Sequence, residues 1–134
     1  MQTDDQVDTV RLAAKVLQAM GTDMDFYWAN AHPDLVLEFP YAPSLGWPER
    51  VAGREAIEQF LADLGGALPG LSFSDIQVTP LADGEGVLME YRGSAQNYDQ
   101  RYITVARFRD GKLILFREYF DTTEAARALS AGGS

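Results

Sequence analysis

The sequence predicts an α+β fold, helices first and a meander of antiparallel strands after them, from three observations. Apolar residues recur at three- and four-residue steps through the first half, the pattern changes to alternation after Pro69-Gly70, and Asp-Gly pairs punctuate the alternating half where tight turns need positive φ. The 134 residues fit one domain, 1–134, and a 46% share of hydrophobic residues is enough to build its core.

Each element follows from local chemistry. Val7, Val10, Ala14, Leu17 and Met20 line one face of a first helix, which Thr3 or an early Asp can cap and Gly21 stops. Thr22-Asp23 signals the start of a short second helix through Met24, Phe26, Tyr27 and Trp28, ended before Pro33 because the residue preceding proline is pushed out of the helical region. Leu35 to Phe39 then form a short first strand closed by Pro40. Residues 40–52 hold three prolines and a glycine, so a long irregular loop is expected there, carrying Tyr41 and Trp47. A third helix runs from about Arg54 to Leu68, with Ile57, Phe60, Leu61, Leu64 and Leu68 on one stripe. Four strands follow, about 71–81, 85–95, 98–109 and 112–121, with the third connection, near Ser94 to Asn97, less clearly signalled than the others. Thr122 can cap a short terminal helix through Leu129, and AGGS reads as a flexible end.

Composition removes several functions. Eleven Lys+Arg against twenty Asp+Glu give a net charge of −9, which repels polyanions, so nucleic acid and anionic membrane are not expected partners. The absence of cysteine rules out thiolate nucleophiles and Cys-ligated metals and is compatible with a reducing compartment. The acidic, polar start lacks a signal peptide's basic and apolar stretches, and no apolar run approaches membrane-spanning length, so a cytoplasmic location is expected. The lone histidine, His32, cannot make a His-rich metal site, and no ligand spacing such as HExxH or DxDxDG occurs. A loop or capping role suits it better than proton transfer, and neither a metal nor a cofactor is expected.

Three segments, HPDLVLEFPYAP (His32 to Pro43), GREAIEQFL (Gly53 to Leu61) and RYITVARFRDGKLILFREYFD (Arg101 to Asp121), in this order and spacing, resemble the nuclear transport factor 2-like superfamily, with its ketosteroid isomerase-like and SnoaL-like polyketide cyclase groups. The resemblance covers nearly the whole chain. It implies a cone-shaped fold in which three N-terminal helices pack on a curved, mostly antiparallel sheet whose open end holds a small-molecule pocket. It also implies a homodimer through the sheet, for which Ile103, Val105, Leu113 and Leu115 are the expected outward apolar residues. The superfamily's range of uses leaves function open. Ketosteroid isomerase pairs an Asp base with an oxyanion-stabilising Tyr and a protonated Asp. At the corresponding positions this chain has Phe39 for the base, Lys15 near the tyrosine and Thr104 near the acid, so that mechanism does not transfer. SnoaL-like cyclases, which the overall pattern resembles better, use an acidic residue near the end of the last long strand, and REYFD offers Glu118 and Asp121.

Strand alternation decides between those two. Ile114, Phe116, Glu118 and Phe120 share one face of the last strand, apolar apart from a single carboxylate, so Glu118 is expected among aromatic rings with its pKa raised by desolvation. The competing reading is an ion pair with Arg92, Arg101 or Arg107. Asp121 precedes Thr122 and Thr123, where helix capping competes with catalysis. On the preceding strand Tyr98, Gln100, Tyr102, Thr104, Ala106 and Phe108 form a polar-lined face, and Tyr102 is the candidate donor to a developing oxyanion, with Thr104 beside it. Glu90 and Arg92 read as a solvated or interfacial pair, and Glu38 should face away from the pocket.

The expected site therefore has Glu118, Asp121 and Tyr102 as catalytic candidates, with Tyr27, Phe39, Tyr41, Trp47, Tyr98, Thr104, Phe116 and Phe120 around the ligand. The expected ligand is a small apolar or aromatic molecule. The activity implied is acid/base chemistry without a cofactor, of cyclase, isomerase, dehydratase or hydrolase type, on a cyclic or polyketide-like compound. The alternative is a binding or assembly domain that kept the cone and lost the chemistry.

Overall fold

The computed structural model describes residues 4–132. Four helices, α1 (Asp4–Ala19), α2 (Met24–Ala29), α3 (Arg54–Ala67) and α4 (Thr122–Gly132), accompany six strands. The strands are β1 (Ala31–Glu38), β2 (Arg50–Ala52), β3 (Ser72–Pro80), β4 (Gly86–Ala95), β5 (Tyr98–Arg109) and β6 (Lys112–Phe120). They form one sheet in the order β2-β1-β6-β5-β4-β3, antiparallel throughout except that β1 runs parallel to β6. This is the α+β arrangement expected, with the helices packed on the sheet.

Alternation along the long strands builds the core. Val87, Met89 and Tyr91 of β4 and Tyr102 and Ala106 of β5 point inward and meet Leu17 of α1, Tyr27 of α2, Leu37 of β1 and Ile57 of α3 in one cluster. A second, smaller cluster stands apart from it: Leu68, Tyr98 and Ala128, joined by Leu64, Leu71, Ala95 and Leu129. Polar contacts tie α4 down over this second cluster. Buried Gln100 receives the Asp121 N–H on Oε1 and donates from Nε2 to the Asp121 carbonyl, at 2.9 and 2.8 Å, as if extending the β-ladder. One turn on, Glu124 accepts the Asp99 N–H at 3.0 Å, and Arg127, which holds the Glu124 carboxyl down at about 2, reaches the Asn97 carbonyl at 2.8 Å.

The structure corrects the sequence reading at several places. β1 begins at Ala31 and runs through His32 and Pro33, with its register against β6 shifting between Ala31 and Val36, so the irregularity absorbs the proline that has no N–H to give. The loop read as wholly irregular contains a 3-10 turn, Ala42–Leu45, with Pro43 near its start and Gly46 at φ 78 closing it, and then β2, which begins after Pro48. The weakly signalled β4–β5 connection is a two-residue turn, Gln96-Asn97, in which Asn97 takes φ 61. A bulge opposite Arg107 and Phe108 leaves Ile114 unpaired and turns Leu113 into the core, 1% exposed, so Leu113 does not belong to the outward apolar set. The terminal helix passes Leu129 and takes in Ala131 and Gly132, so only Gly133 and Ser134 of the expected flexible end remain, outside the described residues, as does Thr3.

Candidate active site

The site is assembled across three neighbouring strands. Thr104 pairs with Glu118 between β5 and β6, and Tyr91 pairs with Tyr102 between β4 and β5, which brings four polar side chains together on the inner face. Glu118 is 8% exposed. The Tyr91 hydroxyl donates to its Oε2 at 2.7 Å and lies 2.7 Å from the Thr104 hydroxyl. Among the described residues no arginine bonds to it. Arg92 pairs with Asp99 at 3.2 Å and Arg107 with Asp83 at 2.6 Å, and Arg101 is exposed. With no cation to offset the loss of water, burial pushes the Glu118 carboxyl up to about 7, and the Tyr91 bond pulls the other way. A carboxyl with that pKa is half protonated at neutral pH and can take or give a proton.

Glu118 opens on an apolar cavity. Phe39, Trp47 and Phe60 form one wall, with Phe39 and Phe60 stacked at 4.9 Å and Trp47 edge-on to Phe60 at 6.1 Å. Tyr98, Tyr102 and Phe120 come from the sheet, while Leu64 of α3, Leu68 just past its end, and Ala125 and Leu129 of α4 close the top. The hydroxyls of Tyr98 and Tyr102 bond each other at 2.8 Å. Burial, reinforced by the charge on Glu118, raises both phenols, so they stay neutral donors. The room for the centre of a water-sized molecule in it is about 40 Å³.

Of the residues expected around the ligand, Phe39, Trp47, Tyr98, Tyr102, Glu118 and Phe120 do line this cavity. The others lie elsewhere. Asp121 spends its carboxylate on the start of α4, accepting the Thr123 N–H at 2.9 Å, so the capping alternative describes its position. Tyr41 is 55% exposed and packs edge-on against Tyr119 at 5.6 Å, because the 3-10 turn carries it to the outer side. Tyr27 and Phe116 are core residues, 1% and 2% exposed, and the Tyr27 hydroxyl is buried without a partner among the described residues. Thr104 is fully buried and serves Tyr91 instead of the cavity. His32 accepts the Asp34 N–H at 3.0 Å near the start of β1, the end of that strand away from Glu118. Glu38 faces away as expected and pairs with Arg117 at 2.8 Å.

Sequence reasoning missed Tyr91 and the roof of α4. Tyr91 was legible as the inward partner of Met89 in VLMEYR, but only the register of β4 on β5 brings its hydroxyl to Glu118. Among the described residues no group of three or more His, Cys, Asp or Glu could hold a metal ion. Among the described residues no helix is long and apolar enough to cross a membrane.

Helices packed on a six-stranded, mostly antiparallel sheet are the cone arrangement of the nuclear transport factor 2-like fold. Residues 14–116 match the model of the SnoaL-like domain, and the chain belongs to that family. An uncharacterised PhzA/B-like protein of Pseudomonas aeruginosa is 36% identical over 104 residues, 73% of this chain and 72% of that one. Among solved structures, a Bacillus subtilis protein provisionally assigned as an isomerase is 28% identical with a TM-score of 0.81, covering 98% of both chains. A Jannaschia protein described as a SnoaL-like polyketide cyclase, 19% identical over 98% of this chain and 97% of its own, also has a TM-score of 0.81 and shares the fold.

Proposed function

We propose that the chain is an acid/base enzyme of the cyclase or isomerase type whose own side chains move a proton on a small, apolar, carbonyl-bearing cyclic compound. The observation that carries this reading is Glu118, buried beside a ring-lined cavity with no cation near it and a pKa of about 7. Ionised, it takes a proton from the carbon next to the carbonyl; protonated, it returns that proton to another atom of the same framework. The Tyr98 and Tyr102 hydroxyls carry two hydrogens between them and spend one on their mutual bond. The other is free to donate to the enolate oxygen that develops, in a dry site where such a bond counts for most. Phe39, Trp47 and Phe60 hold the ring of the substrate and keep water out.

The test is exchange of the α-protons of small cyclic ketones, such as 1-indanone and 2-cyclohexenone, with deuterated water, followed by NMR. The wild type is expected to accelerate exchange, and Glu118→Gln is expected to bind the same ketone without accelerating it. Binding with no exchange by either protein supports the second reading, a small-molecule binding or assembly domain, which the three unmatched isomerase positions favour. The outer sheet face, where Ile103 is 46% exposed with Val105 and Leu115 partly exposed beside it, supports a homodimer, and sedimentation showing only monomer at micromolar concentration would reject that. The acidic, cysteine-free composition agrees with a cytoplasmic location, which cell fractionation tests.

A further inference from the structure

Tyr91 reaches Glu118 from two strands away, across β5, and its hydroxyl stands where the geometry assigns every hydrogen. Its ring is fixed on two sides: stacked on Tyr102 with centroids 5.1 Å apart and planes 20° apart, and met edge-on by Phe73 at 5.3 Å. Gly93, the next inward residue of β4, makes room for the stack, because a Cβ there would meet the Tyr102 ring. Tyr91 is 4% exposed and does not line the cavity. It has one hydrogen and two polar neighbours, Glu118 Oε2 and Thr104 Oγ1, each at 2.7 Å. A carboxylate only accepts, so the Tyr91 hydrogen goes to Glu118, and the Thr104 hydroxyl must then donate to Tyr91. The order is Thr104 to Tyr91 to Glu118. Oε1 has no protein partner among the described residues.

We infer that Tyr91, oriented by Thr104, is a positioning residue that occupies Oε2 of Glu118 and so makes Oε1 the oxygen that carries the proton to and from the ligand. The arrangement survives both states of the acid. When Oε1 takes up a proton, Oε2 becomes the carbonyl oxygen and goes on accepting the Tyr91 hydrogen, so no group in the chain has to turn during transfer. That economy is what preorganised sites gain over water. The inference rests on the proposed role of Glu118, but its test needs no substrate.

The experiment is a pH titration of the Glu118 side-chain carboxyl, followed by NMR on protein labelled with ¹³C in glutamate, in the wild type, Tyr91→Phe and Thr104→Val. Losing a hydrogen bond that favours the charged form is expected to raise the midpoint in Tyr91→Phe by about one pH unit. Thr104→Val, which leaves the Tyr91 bond in place but removes the donor that polarises it, is expected to raise it by about 0.3 unit. A midpoint in Tyr91→Phe that stays put or falls would overturn the inference, since a ring that only fills space leaves the acid unchanged. If Tyr91→Phe does not fold, the sign of the Thr104→Val shift decides. Ketone exchange adds a second readout: kcat is expected to fall with KM unchanged, and the acid limb of the pH profile to move up with the titration. Exchange surviving in Glu118→Gln would remove Glu118 as the proton carrier, and with it the proposed mechanism, while leaving the titration result to stand or fall by itself.

Discussion

Glu38 and Glu118 lie on adjacent strands within one residue of each other in register, since Glu38 pairs with Arg117, and they have opposite fates. Glu38 faces the outer side of the sheet, 29% exposed at its side chain, and holds Arg117 at 2.8 Å. Glu118 faces the inner side with a phenol for company and no cation. The single step of strand alternation separates a screened surface ion pair from a desolvated acid. It also explains why the same residue type carries chemistry in one place and only solvation in the other.

The largest way to break that comparison is to remove the inner carboxylate. Glu118→Gln is expected to lower ketone α-proton exchange by about 10²- to 10⁴-fold, the usual worth of a positioned acid or base, with binding of the ketone retained. The same residue sets a pH dependence of stability. Its folded pKa of about 7 lies above the ordinary 4.5, so the folded state holds the proton more tightly than the unfolded one. The stabilisation is complete below pH 4.5 and is lost as the pH rises through 7. It is worth about 3 kcal/mol at one pKa unit per 1.36 kcal/mol. Urea unfolding at pH 5 and pH 8 should therefore show the wild type losing about 3 kcal/mol more than Glu118→Gln over that interval.

Gly93→Ala sharpens the inner side further. The added methyl would clash with Tyr102 Cε2, so the ring must move off Tyr91, at a cost of about 1–3 kcal/mol, read as a lower unfolding midpoint in urea and a changed near-ultraviolet circular dichroism. The smallest effect is expected outside. Arg117→Ala removes the partner of Glu38 and should cost no more than about 1 kcal/mol, less in high salt, and leave the Glu118 titration where it was.

Alternation made most of the inner face legible. Tyr98, Tyr102, Glu118 and Phe120 follow from a period of two on β5 and β6, and a period of two survives wherever pairing is regular. It failed at Leu113, because a bulge adds one residue and no composition signal marks it. It could not find the Tyr91 bond either, since that depends on how two strands slide against a third. Tyr41 and Trp47 show a different limit: both sit in the same proline-rich segment, yet Gly46 turns the chain between them and only Trp47 comes inside. The capping of α4 by Asp121 was legible as one of two uses, because Asp followed by two threonines carries that signal whatever lies across the sheet.

The most direct measurement is the titration midpoint of the Glu118 carboxyl in the unliganded wild-type protein, followed by its ¹³C resonance from pH 4 to pH 9. A midpoint near 7 is the expected result. A midpoint near 4.5, the value of a carboxyl in water, would mean that the acid is hydrated in solution and that the cavity beside it is not the dry site described.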